Sequence, residues 1–96
     1  MTRYLLAPLA KRDLQEIRDY IAKDSTTAAR RVVRELRAAM EGLVEMPGKG
    51  HLREDLGDDL RAWVVYSYLI IYRPETRPLQ VVRVVSGYRD VPKLFE

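Results

Sequence analysis

Two stretches of helical periodicity stand back to back in the first half of the chain, and a change of period in the second half rules out an all-helical fold. From Pro8 to Asp24 the apolar residues Ala10, Leu14, Ile17 and Ile21 recur at spacings of four, three and four, with charged residues between them. Such spacing places them on one face of a helix, turned toward a core. Pro8 suits the first turn, where its missing N–H has no partner to lose, although Ala7 before it is a poor cap. A second stripe of Ala29, Val32, Val33, Leu36, Met40 and Leu43 follows the capping side chains of Asp24-Ser25-Thr26 and stops at Met46-Pro47-Gly48. With about three residues between them, the two helices must fold back as an antiparallel hairpin.

From Gly48 to Asp59 the chain is polar, carries Gly48, Gly50 and Gly57, and has no period, which reads as a loop. Beyond it, Arg61–Tyr66, Tyr68–Arg73 and Leu79–Ser86 are rich in Val, Ile, Tyr and Trp. A tight connection at Ser67 and the Pro74-Glu75-Thr76-Arg77-Pro78 segment separate them, so they read as three strands of an antiparallel meander. Thr2–Leu6 reads as a further strand, ended by Pro8. The predicted order is β-α-α-β-β-β with a short tail carrying Gly87 and Pro92: an α+β fold with a helical hairpin packed on a small antiparallel sheet. At 96 residues the chain has room for one core, and a single domain over residues 1–96 is expected.

The strand faces are unusual. Tyr68, Ile70 and Tyr72 alternate with Leu69, Ile71 and Arg73, and Val81 and Val85 oppose Val82 and Val84, with Arg83 the one charged interruption. Neither face of the sheet is polar, so both require cover. The hairpin covers one; the ten-residue tail is expected to be too small to cover all of the other, unless the glycine loop helps to close it. Open apolar surface on a small domain marks a protein-binding site. The partner-facing candidates are Trp63, Tyr68, Ile70, Tyr72 and Arg83, whereas Leu14, Ile17 and Ile21 already satisfy a helix–sheet core. Trp63 suits either the core or an exposed anchor.

Composition narrows the chemistry. There is no cysteine and one histidine, His51, so a disulfide framework is impossible, a metal site is not expected, and no cofactor motif is present. The apolar run Leu5–Ala10 is too short for a signal segment and holds a proline, and no stretch nears the roughly 20 apolar residues of a membrane span, so a cytoplasmic location is expected. The net charge of +3 permits an acidic partner without requiring one. Arg30, Arg34 and Arg37, with Arg31 beside them, line one side of the second helix, either as an anion-binding stripe or as a solvated face balanced by Glu35 and Glu41. Arg61, Arg83 and Arg89, among nearby tyrosines, are the residues a metal-free ribonuclease could use to hold a phosphate. His51 sits in a polar loop, where a lone histidine is usually an ordinary surface residue.

Three strings carry a family resemblance: Pro8-Leu9-Ala10 with Asp13-Leu14, Ile17 and Tyr20-Ile21; Tyr68-Leu69-Ile70-Ile71-Tyr72-Arg73; and Val82-Arg83-Val84-Val85 followed by Gly87, Arg89-Asp90 and Pro92. In order, they resemble ParE-type toxins of the RelE/ParE superfamily, with Pro47, Gly50 and Arg53–Leu56 where that family has its own Pro-x-x-Gly loop. The resemblance implies a toxin neutralised by an antitoxin encoded beside it, ParD-like or other, in a hetero-oligomer. It also implies DNA gyrase as the target, with neither catalysis nor direct nucleic-acid binding by the toxin. RelE-like ribonucleases, which cut mRNA on the ribosome, look for an arginine where this chain has Leu69 and a tyrosine where it has Phe95; only Arg89 matches their second arginine. Ala7 replaces a helix-capping serine, and Tyr66-Ser67 a more glycine-like turn. Three readings follow: a gyrase-directed toxin, a ribosome-dependent ribonuclease, and a non-toxic interaction module.

Overall fold

The computed structural model describes residues 3–95. Its elements are β1 (Tyr4–Leu6), α1 (Pro8–Ala22), α2 (Thr26–Glu45), β2 (His51–Leu52), β3 (Arg61–Val65), β4 (Tyr68–Arg73) and β5 (Leu79–Ser86), with short 3-10 turns at Pro47–Lys49 and Pro92–Phe95. The expected order holds with one addition, β2, inside the glycine-bearing loop. Two exposed residues offer no alternation to read, so β2 is set only by its pairing of His51 with Ala62 and Leu52 with Arg61. Thr2, expected to begin the first strand, lies outside the described residues. Ser25 caps α2, its Oγ accepting from the Ala28 N–H at 3.0 Å, while Ala7 makes no side-chain cap for α1.

The sheet order is β1-β5-β4-β3-β2. β3, β4 and β5 pair antiparallel as expected and the added β2 pairs antiparallel with β3, but β1 joins β5 in parallel, so the sheet is mixed. The parallel strands are far apart in sequence, with the α1–α2 hairpin and β2 to β4 all lying between them. On the helix side, Leu14, Ile17, Leu36, Met40 and Leu43 pack on Tyr4, Ile70, Tyr72, Leu79, Val81 and Val84. The other face is also closed. Leu56 and Leu60 from the glycine loop and Val91 from the tail pack on Ala62, Ile71 and Val85, with Leu69, Val82, Leu94 and Phe95 at the margin. The broad apolar surplus expected on that face is therefore absent, because loop and tail share the covering.

A bulge explains the misread of β5. Tyr72 pairs with Val81 but Ile71 pairs with Arg83, so Val82 is an extra residue and the alternation resumes out of phase. Val81 and Val84 thus share the helix side, and Val82 and Val85 the other, instead of the simple alternation. Beside this bulge the buried carboxylate of Asp13 on α1 accepts from Arg83 Nε at 2.8 Å, Arg83 Nη2 at 3.0 Å and the Val84 N–H at 2.9 Å. The hydrogen bonds to Asp13 raise the Arg83 pKa, so the guanidinium keeps its charge.

Tyr72 anchors the loop from below. Its hydroxyl donates to the Pro47 carbonyl at 2.6 Å and accepts from the Gly50 N–H at 3.0 Å, and Arg61 Nη1 donates to the Gly50 carbonyl at 2.7 Å. A Cβ at Gly50 would stand 2.5 Å from that hydroxyl and 3.0 Å from the Ala62 carbonyl oxygen, which accounts for glycine at the end of Pro47-Gly48-Lys49-Gly50.

Removing one partner of a buried ion pair leaves the other uncompensated, so Asp13→Ala should lower unfolding free energy by about 3 kcal/mol in urea titration. The apolar double variant Asp13→Leu/Arg83→Met should recover most of that loss. Tyr72→Phe orphans the Pro47 carbonyl and Gly50 N–H and should cost about 1–3 kcal/mol. Burial chiefly raises the Tyr72 pKa above its unfolded value of about 10. The stability held by its neutral hydroxyl is complete below pH ~10 and is lost as pH rises toward the folded pKa, so Tyr72→Phe should flatten the alkaline limb of a stability–pH curve.

Candidate functional site

With both faces of the sheet covered, the exposed aromatic side chains gather at the end where β3 turns into β4 and β5 leaves the sheet. Val65 pairs with Tyr68, which leaves Tyr66-Ser67 as a two-residue turn. Tyr66 takes φ 56°, a left-handed conformation that costs a non-glycine residue about 1 kcal/mol or more. The Gly87 N–H donates to the Ser67 carbonyl at 2.7 Å, tying the exit of β5 to this turn. Tyr66 and Tyr88 thereby stand on neighbouring turns, and Tyr88 is 90% exposed. Val64 on β3 and Tyr20 near the end of α1 are exposed as well.

Two grooves flank this end and both touch Tyr88. One, of about 520 Å³, runs between α1 and the sheet, bounded by Asp13, Glu16, Ile17 and Tyr20 on one side and Tyr68, Ser86, Tyr88 and Arg89 on the other. The second, of about 440 Å³, is lined by Val64, Tyr66, Ser67, Leu69, Gly87 and Tyr88. The Tyr66 hydroxyl donates to Glu35 on α2, and this bond is the main cause of its raised pKa. Burial, then the nearby Tyr20, raises that of Tyr68. Both hydroxyls are therefore neutral hydrogen-bonding groups at pH 7 rather than bases. Exposed tyrosines beside an exposed arginine, on turns held by backbone bonds, are the residue types that anchor protein interfaces.

The residues singled out from sequence divide sharply. Tyr68 is half-buried and borders the larger groove. Trp63 is half-buried against the helix-side core, with Lys49 Nζ 4.7 Å from its ring centroid. Ile70 and Tyr72, expected to face a partner, are 0% exposed beneath the helices, because their face of β4 is the one the hairpin covers. Arg83, also expected there, is spent on Asp13.

The three arginines of the ribonuclease reading do not converge. Arg61 pairs across from Tyr72 and holds Gly50, Arg83 is bound to α1, and Arg89 follows Gly87 at the opposite end of the sheet. Only Arg89 of the three stands exposed. Leu69 and Phe95 both pack at the margin of the loop-side cluster. His51 is exposed on β2. Along α2, Glu35 accepts from the Tyr66 hydroxyl and Glu41 lies 3.8 Å from Arg3. Sequence reasoning did not single out Tyr20 and Tyr88 as exposed aromatic residues; the only signal was an aromatic directly after a turn glycine. Among the described residues no cluster of three or more metal-ligating side chains occurs, and no helix is long and apolar enough to cross a membrane.

The comparisons agree with this architecture. The family described as "ParE toxin of type II toxin-antitoxin system, parDE" matches residues 4–91. A solved structure described as "Chromosomal ParDE TA system from P. aeruginosa" superposes with a TM-score of 0.73 at 18% identity, covering 90% of this chain and 96% of that one. No curated protein matches the sequence.

Tyr66→Gly should release the left-handed strain at the turn tip and raise stability by about 0.5–1 kcal/mol, measured by thermal unfolding. An unchanged or lower melting temperature would mean that the Glu35 contact outweighs the strain.

Proposed function

Because the chain belongs to the ParE toxin family of type II toxin–antitoxin systems, we propose that it inhibits DNA gyrase and that a cognate antitoxin neutralises it. The family match over residues 4–91 carries this reading. Support for action by contact rather than by chemistry comes from the exposed aromatic and cationic groups at the hairpin end and from the separation of Arg61, Arg83 and Arg89. In this account Tyr88, Tyr66 and Arg89 present the surface that grips the target, and the buried Asp13–Arg83 pair holds the strand that displays two of them.

The test is a supercoiling assay with purified gyrase and the folded chain freed from its antitoxin. Loss of supercoiling or accumulation of cleaved DNA, reversed when antitoxin is restored, is the expected result. Tyr88→Ala/Arg89→Ala should weaken the inhibition by about tenfold or more with an unchanged unfolding midpoint, since both residues are exposed and the truncation of interface tyrosines and arginines commonly costs more than 1 kcal/mol. Folded protein that arrests growth yet leaves gyrase untouched would discard gyrase as the target.

A further inference from the structure

Charge on α2 is distributed against what helix stability favours. Arg30, Arg31 and Arg34 stand in its first half and Glu41 and Glu45 in its second, with no acidic residue in the first turn and no basic residue in the last. The macrodipole favours the reverse, carboxylates toward the N-terminus and cations toward the C-terminus. Arg30 and Arg31 also lie four and three residues before Arg34, spacings at which like charges repel. All three are exposed, and at about 100° per residue they share an outer face with the exposed Thr27 and Ala38, opposite the buried Ala29, Leu36, Met40 and Leu43. Among the described residues none of the three forms a salt bridge. Arg37 is set at the margin of this face, where its Nη1 donates to Tyr4 Oη at 3.3 Å. Glu35 lies on the other flank and accepts from the Tyr66 hydroxyl, so the arginine face begins beside the aromatic end.

The make-up of this face selects its occupant. Among the described residues no large apolar side chain of α2 is exposed, so a protein partner would find no apolar anchor there. An exposed helix is convex, and none of the three arginines lines the grooves beside Tyr88, so a small anion would not be enclosed. An extended polyanion suits the face, because its successive phosphates take guanidinium forks without any need for apolar burial. We propose that this face of α2 binds the phosphate backbone of double-stranded DNA, in the segment that gyrase holds, so that the toxin rests its aromatic end on protein and its arginines on the duplex. The source of the DNA rests on the gyrase reading above, whereas the phosphate contact does not. The contact departs from the absence of direct nucleic-acid binding that the family resemblance implies. Guanidinium groups on phosphates read no bases, so the contact has no sequence preference. Its modest affinity becomes effective in the target complex, where the protein contact holds the duplex at high local concentration.

The experiment uses the full chain freed from its antitoxin and a fluorescently labelled, mixed-sequence DNA duplex, with binding followed by anisotropy over a salt series. The parent should bind with a log–log salt slope of about −3, the value for three neutralised phosphates. Arg30→Gln/Arg31→Gln/Arg34→Gln should bind about 30-fold more weakly or worse, with a slope near zero and an unfolding midpoint no lower than the parent's. Arg12→Gln/Arg73→Gln/Lys93→Gln removes the same charge from exposed positions elsewhere and should bind within about threefold of the parent. Arg34→Glu alone should weaken binding by about tenfold and covers the case in which the triple variant is unstable. Equal losses in the triple variant and the control would show only diffuse electrostatics and overturn the proposal, as would a parent that does not bind the duplex. A triple variant that keeps its duplex affinity but loses affinity for the antitoxin would assign the face to an acidic protein segment and overturn it too. With gyrase and DNA together, the triple variant should need about tenfold more protein to inhibit supercoiling; unchanged inhibition would overturn the gyrase-held seat. A chain that binds the duplex through these arginines yet never inhibits gyrase would count against the target and leave the phosphate contact standing.

Discussion

The carboxylate of Asp13 is the point at which helix and sheet are registered. It lies on the buried face of α1 and takes three N–H donors from two consecutive residues of β5, so it fixes both the height of the helix over the strand and the position of the bulge. β5 lies between β1 and β4, and its exit turn is bonded to the β3–β4 turn. Displacing β5 by a residue would exchange Val81 and Val84 for Val82 and Val85 beneath the helices, and would redirect Tyr88 and Arg89. A buried ion pair contributes little net stability against apolar isosteres, so its value here is positional: it makes one register the satisfied one.

The sheet's other face depends on a different device. Tyr72 points into the helix-side core, yet its hydroxyl reaches the backbone at Pro47 and Gly50 and holds the start of the long loop. From there the loop carries Leu56 and Leu60 onto Ile71 and Val85, where the tail adds Val91. Two clusters on one sheet, one closed by the two helices and the other by loop and tail, leave exposed aromatic groups mainly at the hairpin end. The candidate target surface is thus the remainder after two faces have been closed.

The two ends of the molecule are built differently. The aromatic end is built from turns, where side chains project freely and the backbone is pinned by a few bonds. The groove between the hairpin and β1 is built instead from two helices and an edge strand, and Lys11, Arg18 and Arg37 line it with no carboxylate among its lining residues. Holding like charges near one another is unfavourable, and exposure to water keeps that cost small.

The amino-acid sequence by itself determined the two helices, the three long strands and the loop glycine, because periodicity, capping and turn chemistry are local and act within a few residues. Ala10, Leu14 and Ile17 announce their face by spacing alone, and Pro47 with Gly50 marks a close approach before its partner is known. Only the tertiary structure decided the parallel pairing of β1, the two-residue β2, and which side of β4 the helices cover. It also decided that Arg83 belongs to Asp13, 70 residues away. The bulge at Val82 shifted the phase of β5, and no local pattern signals one extra residue in a strand of valines. Ile70 and Tyr72 read as candidates for a partner and proved to be core because the hairpin covers their face of β4, while Tyr88, unremarkable in sequence, became the most exposed of the large apolar side chains. Burial is a property of what packs against a residue, and that is set by distant chain.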